Sequence, residues 1–453
     1  MRIVPKLPLT LNEISVALGV KCRDSNSLIG AIVTNSKETK PSDLFVALEG
    51  DRLSGEDFID EAKGNKAFIL SEKYEDADIR VHNTKSALLN IAAYYKKHKL
   101  KNLRHTIAIT GSVGKTTTKN MVSQILKSKY SVHSTYENYN NYLGVAHTVL
   151  TSPPDSQILI VEMGMNHLGE ISALSKAVMP DISVITNIGS AHIGNLGSKK
   201  GIAKAKLEIL EGMENPIVIL PHEEKLLKNV IGRYSFSVYD RDADCYLESH
   251  EANLFNNHFN IYTHRQCARD LSISIRGKHI LSSVAIGASI LDNMGEDLNI
   301  LNYCLPEIKE ESIVRAKMIR CGNYDIYDDT YSSSYEATIA DFELLAGQRR
   351  RISCVLGDML ELGTKSQELH EKIGAAVVKY GFEKLFTFGI SASYIAKAAL
   401  RCGMKKENVF INEDINAPKI TAEQIKRSCD GSELILFKAS HSVHAERIFN
   451  YLD

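Results

Sequence analysis

Thr106-Ile107-Ala108-Ile109-Thr110-Gly111-Ser112-Val113-Gly114-Lys115-Thr116-Thr117 is the stretch on which the fold turns. Thr106 to Thr110 reads as a buried strand, a Gly-rich turn follows, and a helix is expected from about Thr117 to Tyr130. A turn in that setting aims backbone N–H groups at one point, and the helix dipole adds positive potential there. Phosphate is the expected occupant. Lys115 is placed to reach the terminal phosphates of a nucleoside triphosphate, and the Thr116 hydroxyl to hold Mg²⁺. The eight-residue P-loop pattern asks for Gly at position 109, where Ile109 stands, so this is the shorter Gly-Ser-x-Gly-Lys-Thr form. ATP and Mg²⁺ are the expected cofactors, with Gly111, Ser112, Val113, Gly114, Lys115, Thr116 and Thr117 as nucleotide contacts.

Such a site needs hard oxygen ligands for the metal, commonly a carboxylate at the end of a neighbouring strand. Glu162 ends the apolar run Ile158-Leu159-Ile160-Val161 and fits that position. Asn187 and His192 follow the next strand candidate, Ile182 to Asn187, and are expected to reach the same carboxyl-end crevice.

Working outward, strands and helices alternate on both sides of this unit, which predicts an α/β fold with mainly parallel sheets. Three blocks are expected: a small N-terminal α/β domain (1–100), a central P-loop domain (101–312) and a second open α/β domain at the C-terminus (313–453). Strand candidates are Ile29 to Val33, Leu44 to Leu48 and Ala67 to Leu70 in the first block. The third has Tyr324 to Tyr327, Ile352 to Leu356, Leu385 to Phe388 and Leu434 to Phe437. Helices are expected over Ser86 to Lys99 and Lys278 to Asp292.

A chain of 453 residues is too long for one ordinary core. Its 54 Lys+Arg against 55 Asp+Glu leave a net charge of −1, which offers no field for binding nucleic acid. No apolar run approaches the roughly 20 residues that span a bilayer, and the N-terminus lacks a signal-peptide h-region. The 8 cysteines include no CxxC pair, so zinc or a disulfide framework is not expected. A cytoplasmic monomer acting on small-molecule substrates is the expectation.

Several ordered segments resemble a known family. They are TGSVGKTTTKNM, ENYNNYLGVAHTVL, VEMGMNHLGEISALSKAVMPDISVITNIGSAHIGNLGS and GIAKAKLEIL. VTNSKETKPSDLFVALEGDRLSGEDF precedes them, and YDIYDDTYSSS, VLGDMLELGTKSQELH and FKASHSVHAERI follow. Together they look like the Mur ligases, and among these the branch that adds D-alanyl-D-alanine in peptidoglycan synthesis.

The resemblance implies a three-domain ATP-dependent amide ligase working through an acyl phosphate, with an N-terminal domain for the nucleotide-sugar substrate, a central ATPase and a C-terminal Rossmann-like domain (313–453) that binds the incoming amine. Its substrates would be a UDP-N-acetylmuramoyl tripeptide and D-alanyl-D-alanine. It also implies roles for residues. Thr116 and Glu162 match the first Mg²⁺ site, and His192 the second. Lys206 matches a lysine that the family carries as a carbamate, a metal ligand that residue type alone would give as a solvated helix lysine. Lys115, His192 and Lys206 are thus the expected catalytic set. Arg315 and Asp329 match contacts to the ATP γ-phosphate and ribose. Asn138, Asn140 and Asn141 match an Asn-rich substrate loop, and Lys438 and Ser440 a terminal Lys-Gly-Ser element in which Ala439 replaces glycine. Ser36 and Tyr331 fall in further substrate segments.

Departures lie at the substrate-reading edges. Asn35-Ser36-Lys37 stands for Asp-Ser-Arg, Ser54-Gly55-Glu56 for Asp-Gly-His, and Tyr331-Ser332-Ser333-Ser334-Tyr335 for Tyr-Asn-Ala-Asn-Pro. His279-Ile280-Leu281-Ser282-Ser283 stands for His-Asn-x-x-Asn. The alternatives are a paralogue joining another amine to another carboxylate, and a non-catalytic nucleotide-binding partner. The retained Lys115, Thr116, Glu162, His192 and Lys206 argue against the last, because a binding module need not keep a metal set.

Overall fold

In a computed structural model the described residues are 1–22, 26–50, 53–252, 257–275, 277–314, 316–346 and 350–452. They form two compact units whose segments interleave along the chain. The first comprises 1–110, 126–184 and 205–218, the second 111–125, 185–204 and 219–453.

The first unit opens with a five-stranded sheet in the order Arg2–Ile3, Ile32–Val33, Leu44–Val46, Phe68–Ser71, Ile79–Arg80. The last four strands are parallel and the first is antiparallel to its neighbour. Helix Thr84–Lys99 leads away from it, started by Asn83, whose side chain accepts the Ser86 N–H. Tyr95 of this helix is fully buried, and its hydroxyl accepts the Leu7 N–H at 2.8 Å.

Also in this unit, Ile158–Glu162 lies between His105–Thr110 and Val132–Ser134, parallel to both. Ile107, Ala108, Ile109 and Ile158 to Val161 are all fully buried. Continuous apolar runs of this kind belong to parallel strands covered on both faces, where alternation is lost. Glu162 pairs in register with Ile109, at the carboxyl end of the strand that feeds the Gly-rich turn.

The second unit carries two strand systems. Cys245–Ala252, Asn257–Thr263 and Cys267–Ile273 form an antiparallel run, and helix Lys278–Asn293 packs on the first two of these strands. A six-stranded sheet follows in the order Lys317–Cys321, Tyr324–Asp329, Leu434–Lys438, Ile352–Gly357, Leu385–Phe388, Val409–Asn412. All but the first pairing are parallel. Apolar clusters cover both of its faces, one around Phe342, Ile373 and Ala396, the other around Ile326, Ile425 and Ile448. This is the Rossmann-like arrangement expected from the sequence. The last strand in the chain inserts beside Tyr324–Asp329, so that Lys438 lies opposite Asp329 in register. No helix among the described residues is long and apolar enough to cross a membrane.

Candidate active site

The Gly-rich turn belongs to the second unit, and residues 186–189 hold its shape. Gly111 has φ 155° and Gly114 φ 78°, both in the region that favours glycine. The Asn187 carboxamide grips Val113 from both sides: Oδ1 accepts the Val113 N–H at 3.0 Å, and Nδ2 donates to the Val113 carbonyl at 2.8 Å. Thr186 donates its hydroxyl to the same carbonyl at 2.6 Å. Ser112 Oγ accepts the Gly189 N–H at 2.9 Å. Lys115 starts the helix Lys115–Lys127 and folds its ammonium back onto the Gly111 carbonyl at 2.9 Å.

Asn187, expected from the sequence as a nucleotide contact, is thus committed to the loop backbone. Thr186 was not singled out, although the demand for glycine at position 111 was a signal for a neighbour pressed against it. A Cβ on Gly111 would stand 1.8 Å from Thr186 Oγ1. Gly111→Ala should therefore strain the turn by about 1–3 kcal/mol and weaken ADP binding by about tenfold or more. Calorimetric titration with ADP, alongside circular dichroism to check folding, reads this out. Unchanged affinity would show that the turn relaxes freely.

The loop after Ile182–Ile185 carries His192, which has φ 63°. Its Nδ1 lies 2.5 Å from Glu361 Oε2, and Glu361 is itself left-handed at φ 62°. Nearby, Gly194 donates its N–H to the Glu361 carbonyl at 3.0 Å. Gly194 and Gly363 meet so closely that a Cβ on Gly194 would sit 2.5 Å from the Gly363 nitrogen. Ser190 donates to Glu336 at 2.7 Å. The segment bearing Glu361 is fixed in turn by His370, fully buried, whose Nε2 accepts the Met359 N–H at 3.0 Å while Nδ1 faces the Ser366 carbonyl at 2.7 Å. Burial lowers the pKa of His370, consistent with a neutral ring that accepts at one nitrogen and donates at the other.

Among candidates in the first unit, Glu162 is 1% exposed and its carboxylate accepts Asn140 Nδ2 at 2.8 Å. Asn140 is pressed against Gly164, where a Cβ would come within 2.5 Å of its side-chain oxygen. Asn141 caps helix Tyr142–Leu150 by accepting the Gly144 N–H, and Asn138 is exposed. The Asn-rich loop therefore divides into an acid-holding residue, a cap and a solvent-facing amide.

Lys206 is 2% exposed, whereas Lys204, two positions earlier on helix Lys199–Leu207, faces solvent. Ser36 is buried and donates to Glu61 at 2.5 Å. Glu56 receives the Ser71 hydroxyl at 2.7 Å and the Glu72 N–H at 2.9 Å, which ties down the end of Phe68–Ser71.

At the carboxyl end of the C-terminal sheet, Lys438 is 1% exposed and contacts both Asp329 and Asp341, the latter at 2.8 Å. Burial lowers the lysine pKa, but the two carboxylates outweigh it and the net shift is upward. Burial pushes the Asp341 carboxyl up to about 7, opposed by Lys438 and reinforced by Asp329. Tyr331 packs against His441 with ring centroids 5.4 Å apart, and Ser440 Oγ accepts the Leu360 N–H at 3.1 Å. Arg315 lies outside the described residues.

The raised Asp341 pKa has a thermodynamic consequence. Between about pH 4, where an ordinary aspartate ionises, and pH 7, the unfolded chain releases this proton while the folded chain keeps it. That contribution to stability is therefore full below this window, falls as pH rises through it, and is constant above. Asp341→Asn should remove the slope. Melting curves at pH 5 and pH 8 should show the wild type losing a few °C more than the variant over that interval, about what 1–2 kcal/mol produces. Parallel behaviour of the two proteins would exclude it.

Among the described residues, no group of three or more His, Cys, Asp or Glu side chains stands in metal-holding geometry. The donor types proposed from the sequence are a hydroxyl at a helix start, a buried strand-end carboxylate and an imidazole. The hydroxyl and the carboxylate are oxygen donors of the kind Mg²⁺ favours, and the imidazole adds a nitrogen donor.

Comparison with known proteins adds to this geometry. Residues 109–291 match the Mur ligase middle domain, and residues 314–441 match the glutamate ligase domain of Mur ligases. The chain is 32% identical over 449 residues to the UDP-N-acetylmuramoyl-tripeptide–D-alanyl-D-alanine ligase of Bacillus subtilis, covering 93% of each. It is 28% identical to the Escherichia coli ligase of the same name, covering 87% of this chain and 88% of that one. Among solved structures, MurF from Acinetobacter baumannii superposes with a TM-score of 0.87 at 26% identity over 99% of both chains. MurF ligase from Thermotoga maritima in complex with ADP superposes with a TM-score of 0.79 at 27% identity, covering 93% of this chain and 96% of that one.

Proposed function

The chain belongs to the Mur ligase family, and we propose that it joins D-alanyl-D-alanine to a UDP-N-acetylmuramoyl tripeptide in peptidoglycan synthesis, forming ADP. The supporting observation is the Gly-rich turn strapped to Thr186 and Asn187, with Lys115 at the helix start, in a chain that matches such ligases over nearly its whole length.

In this reading ATP phosphorylates the terminal carboxylate of the tripeptide. The amine of the dipeptide attacks the acyl phosphate, the tetrahedral intermediate collapses to an amide, and phosphate leaves. Residues 111–117 bind the ATP phosphates through N–H groups at the helix start, those of Ser112 and Val113 being already donated to Asn187, and Lys115 offsets the charge that develops on the transferred phosphoryl. Arg315 contacts the γ-phosphate. Asp329 accepts from the ribose, for which it must share its carboxylate with Lys438. Thr116, Glu162, His192 and a carbamylated Lys206 are each proposed as Mg²⁺ ligands, and the metal supplies charge neutralisation at the phosphates. Ser36 serves the nucleotide sugar, and Asn138, Asn140, Asn141, Tyr331, Lys438 and Ser440 the substrates. The domains run 1–100, 101–312 and 313–453, in a cytoplasmic monomer.

Phosphate release should require both the UDP-muramoyl tripeptide and D-alanyl-D-alanine. Release with neither, or with the dipeptide replaced equally well by other amines, would overturn this assignment. Ser332 and Ser334, in place of two residues that carry the family pattern, make the choice of amine the sensitive arm of that assay.

A further inference from the structure

We infer that Glu361, on the segment after strand Ile352–Gly357, is a positioning residue that fixes the tautomer and orientation of His192. The inference rests on the proposed role of His192 as a metal ligand, and adds to it a residue that acts through the imidazole.

The geometry is specific. Glu361 Oε2 stands 2.5 Å from His192 Nδ1. The contact lies off the line of a ring N–H hydrogen bond, since Nδ1 is buried with no hydrogen-bond partner, but a carboxylate that close still favours the proton on Nδ1 by charge and leaves Nε2 to bind a cation. Histidines that ligate metals commonly present their second nitrogen to a carboxylate for this reason. A negative partner also raises the electron density of the ring, and so its strength as a donor.

Both residues are held in conformations that ordinary side chains avoid. His192 has φ 63° and Glu361 φ 62°, neither being glycine. Left-handed backbone at two facing residues persists only when the surroundings enforce it, and such strain gathers at functional sites. The surroundings here are identifiable. The Gly194 N–H donates to the Glu361 carbonyl, and Gly194 and Gly363 approach with no room for a Cβ on Gly194. His370 and Ser440 hold the Met359 and Leu360 amides. A mere surface ion pair would need none of this, because the Glu361 side chain is 45% exposed and exposed pairs contribute little on their own.

The conserved-volume variant Glu361→Gln tests the idea, with Mn²⁺ as the probe. Mn²⁺ binding to the full-length protein saturated with a non-hydrolysable ATP analogue is followed by the free-ion electron paramagnetic resonance signal. Glu361→Gln should weaken Mn²⁺ by about 10–100-fold, the usual effect of losing such a partner, while leaving the melting temperature and metal-free ADP affinity unchanged. Imidazole ¹⁵N shifts should show His192 protonated at Nδ1 in the wild type and a mixture of tautomers in the variant. In a His192→Ala background Glu361→Gln should have no additional effect.

Wild-type Mn²⁺ affinity in Glu361→Gln, with His192→Ala weakened, overturns the role of Glu361 and leaves His192 as a ligand. Unchanged affinity in His192→Ala overturns both. A further loss from Glu361→Gln when His192 is absent shows that Glu361 acts by another route, and also overturns the inference.

Discussion

Lys115→Ala is expected to lower ATP-dependent turnover by about 10²-fold or more, the range seen when a charge stabiliser of the transition state is removed. The transferred phosphoryl carries its charge on peripheral oxygens, so an ammonium there acts mostly on the rate. ADP affinity should fall much less, because the backbone N–H groups of the turn remain. The turn is held by Thr186 and Asn187, while the lysine adds one bond to the Gly111 carbonyl and has two further donors for a phosphate. Steady-state phosphate release together with ADP titration separates the two quantities. A folded variant with near-normal turnover would remove the turn from the chemistry.

Lys206→Ala should be nearly inactive, with a loss of about 10²–10³-fold, matching the several kcal/mol that a correctly ligated metal contributes. Carbamylation requires a neutral amine: Nζ forms a bond to the carbon of CO₂, a proton is released, and the cation becomes a carboxylate-like anion. The burial of Lys206 fits a side chain that leaves bulk water, whereas Lys204 on the exposed face does not. Added short carboxylates should partly restore Lys206→Ala, and Lys206→Glu should keep a small activity. Removing CO₂ should slow the wild type. Wild-type rates in Lys206→Ala, or no response to CO₂ removal together with no rescue by acetate, would return Lys206 to a structural role.

The sequence made the Gly-rich turn legible because its signal is local. Strand, glycines, lysine and helix are contiguous, and the observed strand His105–Thr110 and helix Lys115–Lys127 follow the reading closely. The C-terminal strands were legible for a related reason: each is a short buried apolar run, and Leu385–Phe388 was located to the residue. The antiparallel run from Cys245 to Ile273 was not. Its register shifts between Ser249 and Glu251 and again between Phe259 and Ile261, and each irregularity breaks the period-two pattern that would have announced a strand.

At the site, residue types named candidates but not the contacts each of them makes. Lys206 read as a solvated lysine until the resemblance was considered, because burial depends on what packs over a helix face. Asp341 gave no signal at all. Its importance comes from sharing Lys438 with Asp329, a meeting produced by inserting the last strand beside Tyr324–Asp329. Glu361 lies within a segment that resembles the family, yet its contact with His192 is a long-range one that spacing cannot disclose.

The grip of Asn187 on Val113 bears on how tightly nucleotide can be held. A glycine-rich turn left to itself samples many backbone states, and freezing one residue costs about 1–2 kcal/mol of conformational entropy. Here the carboxamide satisfies both backbone polar groups of Val113 within the fold, so that this loss occurs when the chain folds and would not recur when a nucleotide binds the turn. More of the contact energy between turn and phosphates then appears as affinity. Asn187→Asp, unable to donate to the Val113 carbonyl when ionised, would move the ordering step back to binding. Its signature would be a less favourable binding entropy, with phosphate contacts otherwise intact.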